Sequence, residues 1–123
     1  MTSSPDDVKL KRVYATPAST DGARLLVDRI WPRGLRKDRA ALDAWLQDVA
    51  PSAELRHWFN HDPDRWDEFR ERYTAELLEK GDRMKLALDF MKKGAVTLVY
   101  AARDEEHNNA VVLRDFLVKR AGR

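Results

Sequence analysis

The strongest pattern in the chain is the run Ala95 to Ala102 (AVTLVYAA), apolar at nearly every position rather than at alternate ones. A run of that kind needs cover on both faces, and it predicts a central strand of an α/β sheet. Two earlier stretches also read as strands. Residues 9–15 alternate imperfectly through Leu10, Val13 and Ala15 and are closed by Thr16-Pro17. Residues 23–31 (ARLLVDRIW) follow the turn Thr20-Asp21-Gly22, are apolar enough for burial on both faces, and end at Pro32 and Gly34. Only residues 17–22 separate these two, too few for an ordinary parallel crossover, so the first strand is expected to be antiparallel or only briefly parallel.

Between the second strand and the last, the apolar period changes to that of helices. Asp38 is placed to cap a helix in which Leu42, Trp45, Leu46 and Val49 fall on one face, and Pro51 stops it. Ser52 caps the next, with Leu55, Trp58 and Phe59 turned inward up to about Asn60. Asp62-Pro63 opens another, the carboxylate at the cap and the proline where a missing N–H costs nothing. Trp66, Phe69, Tyr73 and Leu77 make one stripe along it, and Glu68 and Arg72 are spaced for an exposed ion pair. Gly81 breaks the stripe; Asp82 can cap a continuation through Met84, Leu88 and Met91, ended by Gly94. Asp104, Glu105 and Glu106 then start the last helix, with Ala110, Val111, Leu113, Phe116 and Leu117 apolar. Trp45, Phe59, Phe69, Tyr73, Leu26, Leu98 and Leu113 are expected in the core.

These elements, in 123 residues, describe one α/β domain: a small sheet of about three strands, mostly parallel or mixed, covered by helices from residues 39–93 and 105–120. Residues 9–121 form that domain and residues 1–8 a loose N-terminus. The chain has no cysteine, which excludes disulfides, thiolate metal sites and a cysteine nucleophile. Met1 to Asp7 is polar and lacks the regions of a signal peptide, and no apolar run approaches the roughly 20 residues of a membrane span. A cytoplasmic protein with no membrane partner is expected.

Charge is balanced overall, with 23 basic against 21 acidic residues, but not locally. Residues 9–39 hold nine Lys or Arg against Asp21, Asp28 and Asp38, whereas residues 40–79 hold ten carboxylates against four arginines. A basic sector suits an anion or a nucleic acid strand, or it pairs with the acidic middle of the same chain.

Two stretches concentrate polar residues at strand exits, the edge where open α/β sheets bind ligands. In Asp28-Arg29-Ile30-Trp31-Pro32-Arg33-Gly34, Asp28 is a candidate orienter or acid/base group, and Arg29, Trp31 and Arg33 are candidate ligand contacts; the plain structural reading is an Asp28 salt bridge that fixes the loop. In Arg103 to Asn109, Asp104 and His107 are candidate catalytic groups and Arg103 and Asn108 candidate ligand contacts, with Asp104 equally placed to cap the helix whose first turn holds His107 to Asn109. His57 and His61 stand at i, i+4, where spacing alone makes a weak metal motif, and no metal is assigned. No phosphate-binding glycine loop, nucleophile elbow or cofactor fingerprint is present, so no cofactor is assigned.

At LLVDRIWPRG (25–34), APSAELRHWFNHDPDRWDEFRERYTAEL (50–77) and TLVYAARDEEHNNAVVL (97–113) the chain closely resembles the YeaO-like branch of the domain of unknown function 488 family, over nearly the whole domain. The resemblance implies a small α/β domain whose strands end at the two polar stretches. Another branch of that family carries a Leu-Val-Asp-Val-Arg strand and a Cys-His-Arg helix start. Here Val27-Asp28-Arg29 keeps the acid and a basic residue, while His107-Asn108-Asn109 stands in place of the cysteine triplet. Thiol chemistry therefore does not transfer. The leading expectation is a pocket for a small anionic ligand at the strand ends. The alternatives are a nucleic-acid module using residues 24–39, with Trp31 stacking on a base, and a purely structural or partner-binding protein.

Overall fold

A computed structural model describes residues 8–122. The apolar run supplies strand β4 (Val96–Tyr100), every residue of which is buried. Its backbone is satisfied on both sides by parallel neighbours. Strand β1 (Val8–Arg12) pairs with it from Val8↔Val96 to Arg12↔Tyr100, and β2 (Ala23–Leu26) from Ala23↔Val96 to Leu26↔Val99. A further strand, β3 (Ala44–Trp45), lies outside β2, giving the order β1-β4-β2-β3 with all pairings parallel.

Two expectations are corrected here. The first strand is parallel along its whole length because β4, not β2, is its neighbour; it stops at Arg12, which leaves residues 13–22 for the connection. The expected helix from Asp38 to Val49 does not form. In its place are one turn, α1 (Lys37–Ala40), closed by Ala41 at φ 51°, then β3, then a 3₁₀ turn at Gln47–Val49. Asp38 sits inside that turn and pairs with Arg36 at 3.1 Å instead of capping. The physical reason is competition from the open edge of β2. The N–H of Asp43 donates to Arg24 O at 2.8 Å, the N–H of Leu46 to Leu26 O at 2.7 Å, and the Asp43 carboxylate accepts the N–H of Arg24. These partners outweigh local helix propensity. Trp45, expected in the core, is 36% exposed for the same reason.

The remaining helices follow the pattern of the sequence. Ser52 Oγ accepts the N–H of Leu55 at the start of α2 (Ala53–Phe59), and Asp62 caps a 3₁₀ turn at Pro63–Arg65 that leads into α3 (Trp66–Glu79). Glu68 pairs with Arg72 on its outer face. A 3₁₀ turn at Gly81–Met84 separates α3 from α4 (Lys85–Lys93), with Lys80 rather than Asp82 at its cap. The last helix is α5 (Asn109–Gly122). β1 begins at Val8; the loose segment expected before it otherwise lies outside the described residues. No described helix is long and apolar enough to cross a membrane.

Strand residues alternate between two unequal faces. Val8, Leu25, Val27, Val96, Leu98 and Tyr100 face the helices and pack with Leu55, Phe59, Phe69, Tyr73, Leu77 and Leu113. The opposite face is thinner. There Val13, Leu26 and Val99 are covered by Trp31, Leu35 and Leu42. Toward the strand starts the same side holds an ionic cluster: Asp21, 4% exposed, accepts Arg24 Nη1 at 2.7 Å, Lys11 Nζ at 3.0 Å and the N–H of Ala18 at 3.0 Å. Burial alone would push its pKa up, but these hydrogen bonds and the Lys11 charge outweigh burial and hold it at about 2.

Gly22 is where the connection into β2 touches β4. Its φ is +66°, and a Cβ would stand 2.2 Å from Ala95 O, the carbonyl that accepts the N–H of Ala23. Gly22→Ala is expected to cost about 3 kcal/mol, strain and overpacking together. Gly34→Ala, also at positive φ but with nothing near its Cβ, should cost about 1 kcal/mol. Urea midpoints of the two variants, measured side by side, check this. Asp21 generates a second expectation. Since folding lowers its pKa, its contribution is complete above the unfolded value of about 4 and is lost as pH falls from there toward about 2. Asp21→Asn should be less stable than the parent at pH 6, and the difference should shrink across that acid window in thermal unfolding.

Candidate functional site

The sheet opens at the carboxyl ends of β2 and β4. The last regular rung between them is the N–H of Val27 to Val99 O at 3.1 Å. The next would join the N–H of Ala101 to Val27 O. Instead Ala101 donates to the Asp28 carboxylate at 2.9 Å, and Val27 O accepts Asn109 Nδ2 at 2.9 Å. Asn109 Nδ2 also reaches the second Asp28 oxygen at 3.2 Å. A side chain has replaced a backbone acceptor, and the strands part around it. The Asp28 salt bridge considered from the sequence is not formed among the described residues; backbone and amide donors hold the group.

The loop after β2 is fastened from several directions. Trp45 Nε1 donates to Asp28 O at 2.7 Å, Gln47 Nε2 to Arg29 O at 2.9 Å, Trp31 Nε1 to Leu35 O at 2.9 Å and Tyr14 OH to Arg33 O at 2.7 Å. Opposite it, Arg12 donates to the carbonyls of Ala101 and Ala102. Asp104 Oδ1 accepts the N–H groups of Glu106 and His107, and its Oδ2 lies 2.9 Å from His107 Nδ1. These contacts, that of Glu106 first and that of the His107 ring next, lower the Asp104 pKa. Helix α5 starts only at Asn109, with Asn108 Oδ1 accepting the N–H of Val111 at 3.2 Å. Asp104 thus caps a loop turn, and His107 and Asn108 precede the helix rather than occupying its first turn.

Between the two loops lies a pocket of about 670 Å³. Asp28, Arg29, Trp31, Arg33, Arg103, Asp104 and Asn108 all line it. His107 does not; it stands behind Asp104, its ring edge-on to Trp66 at 5.3 Å. Asn108 is 2% exposed, and its amide is committed to the cap and to Asp104 O. The sequence reading missed Arg56, Phe59, His61 and Phe69, which form the opposite wall with Pro51. Arg56 and Phe59 are three apart on α2, so Arg56 shares the inward side; that spacing was the available signal. His61 lies past the end of α2 at φ 55°, so it and His57 do not share a helix face.

Arg29, Arg33, Arg56 and Arg103 are among the residues that line the pocket with Asp28 and Asp104, and none of the four forms an ion pair among the described residues. Among the described residues Arg29 Nε reaches only Pro51 O, at 3.4 Å, and Arg56 Nε is buried without a hydrogen-bond partner. Asp28 is half-buried. Burial raises its pKa above the usual 3.8, while the Ala101 and Asn109 donors and the Arg56 and His61 charges pull the other way. Among the described residues no ion pair joins the basic 24–39 sector to the acidic middle: Arg24 is buried on Asp21, and Arg36 pairs with Asp38.

Fold and site together define a small parallel α/β domain with a crevice at the carboxyl ends of its central strands. Residues 7–123 match the family described as the inactive DUF488-N3 subclade, DUF488-N3i, and the chain belongs to that family. It is 42% identical over 111 residues to the uncharacterized protein YeaO of Escherichia coli (strain K12), covering 90% of this chain and 96% of YeaO. It is 44% identical over 110 residues to the uncharacterized protein Rv3073c of Mycobacterium tuberculosis (strain ATCC 25618 / H37Rv), covering 89% and 92%. No solved structure matches it.

The carboxylate at the parting of the strands can be followed directly. In a carboxyl-carbon NMR titration Asp28 should show a midpoint above 3.8. Asn109→Ala removes one donor to the ionised form, so it should move the midpoint further up. A parent midpoint at or below 3.8 contradicts the burial of this group. With a raised folded pKa, the sign of linkage is opposite to that of Asp21: this contribution to stability declines as pH rises through the Asp28 midpoint.

Proposed function

We propose that the crevice binds a small anion, with Arg29, Arg33, Arg56 and Arg103 as its cationic contacts and Asp28 orienting the ligand. The observation that carries this reading is that four arginines with no ion-pair partner among the described residues line one pocket. Arg56 is half-buried with an unpartnered Nε, so its guanidinium is more weakly solvated than one in open water and an incoming anion recovers a charge-assisted hydrogen bond there, while the exposed Arg29, Arg33 and Arg103 add charge at the rim. The N-terminus of α5 at the pocket adds favourable potential.

Binding without turnover is the form of this proposal. The family description carries the word inactive, and no cysteine stands at 107–109, where another branch of the family has its Cys-His-Arg triplet. In this reading Asp104 shapes the rim, with His107 holding it from behind, and neither moves protons. The nucleic-acid alternative loses Arg24, which is buried on Asp21.

Thermal unfolding against phosphate, sulfate and small carboxylates tests the proposal. At a hundred times its dissociation constant a ligand specific to the folded state adds about 2.7 kcal/mol. Arg33→Ala and Arg56→Gln should each weaken binding of the stabilising anion by roughly tenfold or more, the cost of a lost charge-assisted hydrogen bond. If no anion stabilises the protein, the proposal fails. If single-stranded DNA instead binds tightly, with a steep salt dependence that vanishes on changing Lys37 and Arg39, the nucleic-acid reading replaces it.

A further inference from the structure

Accepting that reading of the crevice as an anion pocket, we infer that its ligand is a nucleoside monophosphate, held by phosphate, sugar and base at once. Three properties of the crevice lead there, each excluding a simpler anion.

The first is size and wall chemistry. About 670 Å³ is far more than one inorganic ion fills and falls within the range of pockets for small organic ligands. The crevice straddles the end of the sheet, so its aromatic groups come from both layers. Trp31 belongs to the thin layer, while Phe59 and Phe69 belong to the helical core and are stacked on each other at 4.2 Å. Phe59 and Phe69 are almost fully buried, so Trp31, half-buried at the pocket, is the ring with area left for a flat ligand ring, which gains from stacking and edge contacts beyond area burial.

The second is charge. Four guanidiniums against the carboxylates of Asp28 and Asp104 leave an excess of two positive charges. A phosphate monoester near neutral pH carries about −1.5 to −2, which matches that excess; a single carboxylate does not. Its three terminal oxygens can take donors from more than one arginine.

The third is the acceptor capacity of Asp28. Each of its oxygens accepts one protein donor, Ala101 on one and Asn109 on the other. A carboxylate offers about four lone-pair sites, so acceptor positions remain for donors that a bare aryl phosphate lacks. The two hydroxyls of a ribose supply them.

Titration calorimetry with adenosine 5′-monophosphate, ribose 5-phosphate, inorganic phosphate and adenosine separates the components on the unaltered protein. Adenosine monophosphate should bind at least tenfold tighter than ribose 5-phosphate, and adenosine without phosphate should bind weakest. Arg56→Gln should weaken both phosphate esters, and Trp31→Leu only the nucleotide. Saturation transfer from protein aromatic protons should reach H2 and H8 of the base, a readout that needs no variant to fold. If ribose 5-phosphate or inorganic phosphate binds as well as the nucleotide, this inference falls and the anion pocket stands. If adenosine binds as well as its monophosphate, both fall; if none of the four binds, this inference falls, and both fall if sulfate and small carboxylates also fail to bind. A 5′-phosphorylated trinucleotide binding where the mononucleotide does not would also overturn it, placing the phosphate at the end of a nucleic acid strand.

Discussion

Everything in this fold is arranged around β4. A strand with all five residues buried has no solvent to turn to, so each of its backbone groups needs a partner in a neighbouring strand and each side chain a packed layer. β1 and β2 supply the partners, and because both run parallel to it, their carboxyl ends lie along one edge. The helices cannot close over that edge completely, since the loops leaving β2 and β4 both depart there. The crevice is therefore a geometric result of burying the central strand.

The Asp28 carboxylate turns that edge into a site. By accepting the N–H of Ala101 it lets β2 and β4 separate one rung early without leaving a donor unsatisfied, and Asn109 ties the freed carbonyl of Val27 to the start of α5. The same group that ends the ladder is thereby held in the pocket. Sheet, loop and helix are joined at one side chain, so the position of the pocket wall is coupled to the register of the core.

Much of this was legible from sequence, and the failures have physical causes. The continuous run at 95–102, the Ser52 cap, the Asp62-Pro63 start and the stripe Phe69, Tyr73, Leu77 depend on local chemistry and reappear where expected. The segment 38–49 was misread because Leu42 serves the thin layer while Leu46 and Val49 serve the main core; a helical spacing there conceals two destinations. Asp104 and Asn108 are both good caps, and the choice between them turns on Asn109 being held by Val27 and Asp28, a contact across more than 80 residues. Half of the pocket was visible as two polar stretches at strand exits. The other half, Arg56 with Phe59 and Phe69, comes from helices laid across the sheet, and no spacing within one segment reports which strand end a helix will reach.

The two borders of the sheet differ from its centre. β3 offers only two residues on one side, and β1 on the other carries Lys9, Lys11 and Arg12. An open border of free N–H and C=O groups is a template on which another chain can add a strand, and brevity and positive charge are the two usual defences. A parallel sheet with so apolar a centre carries an intrinsic hazard of edge-to-edge polymerisation, and here that hazard is met at the margins, leaving the interior free to be as hydrophobic as packing requires.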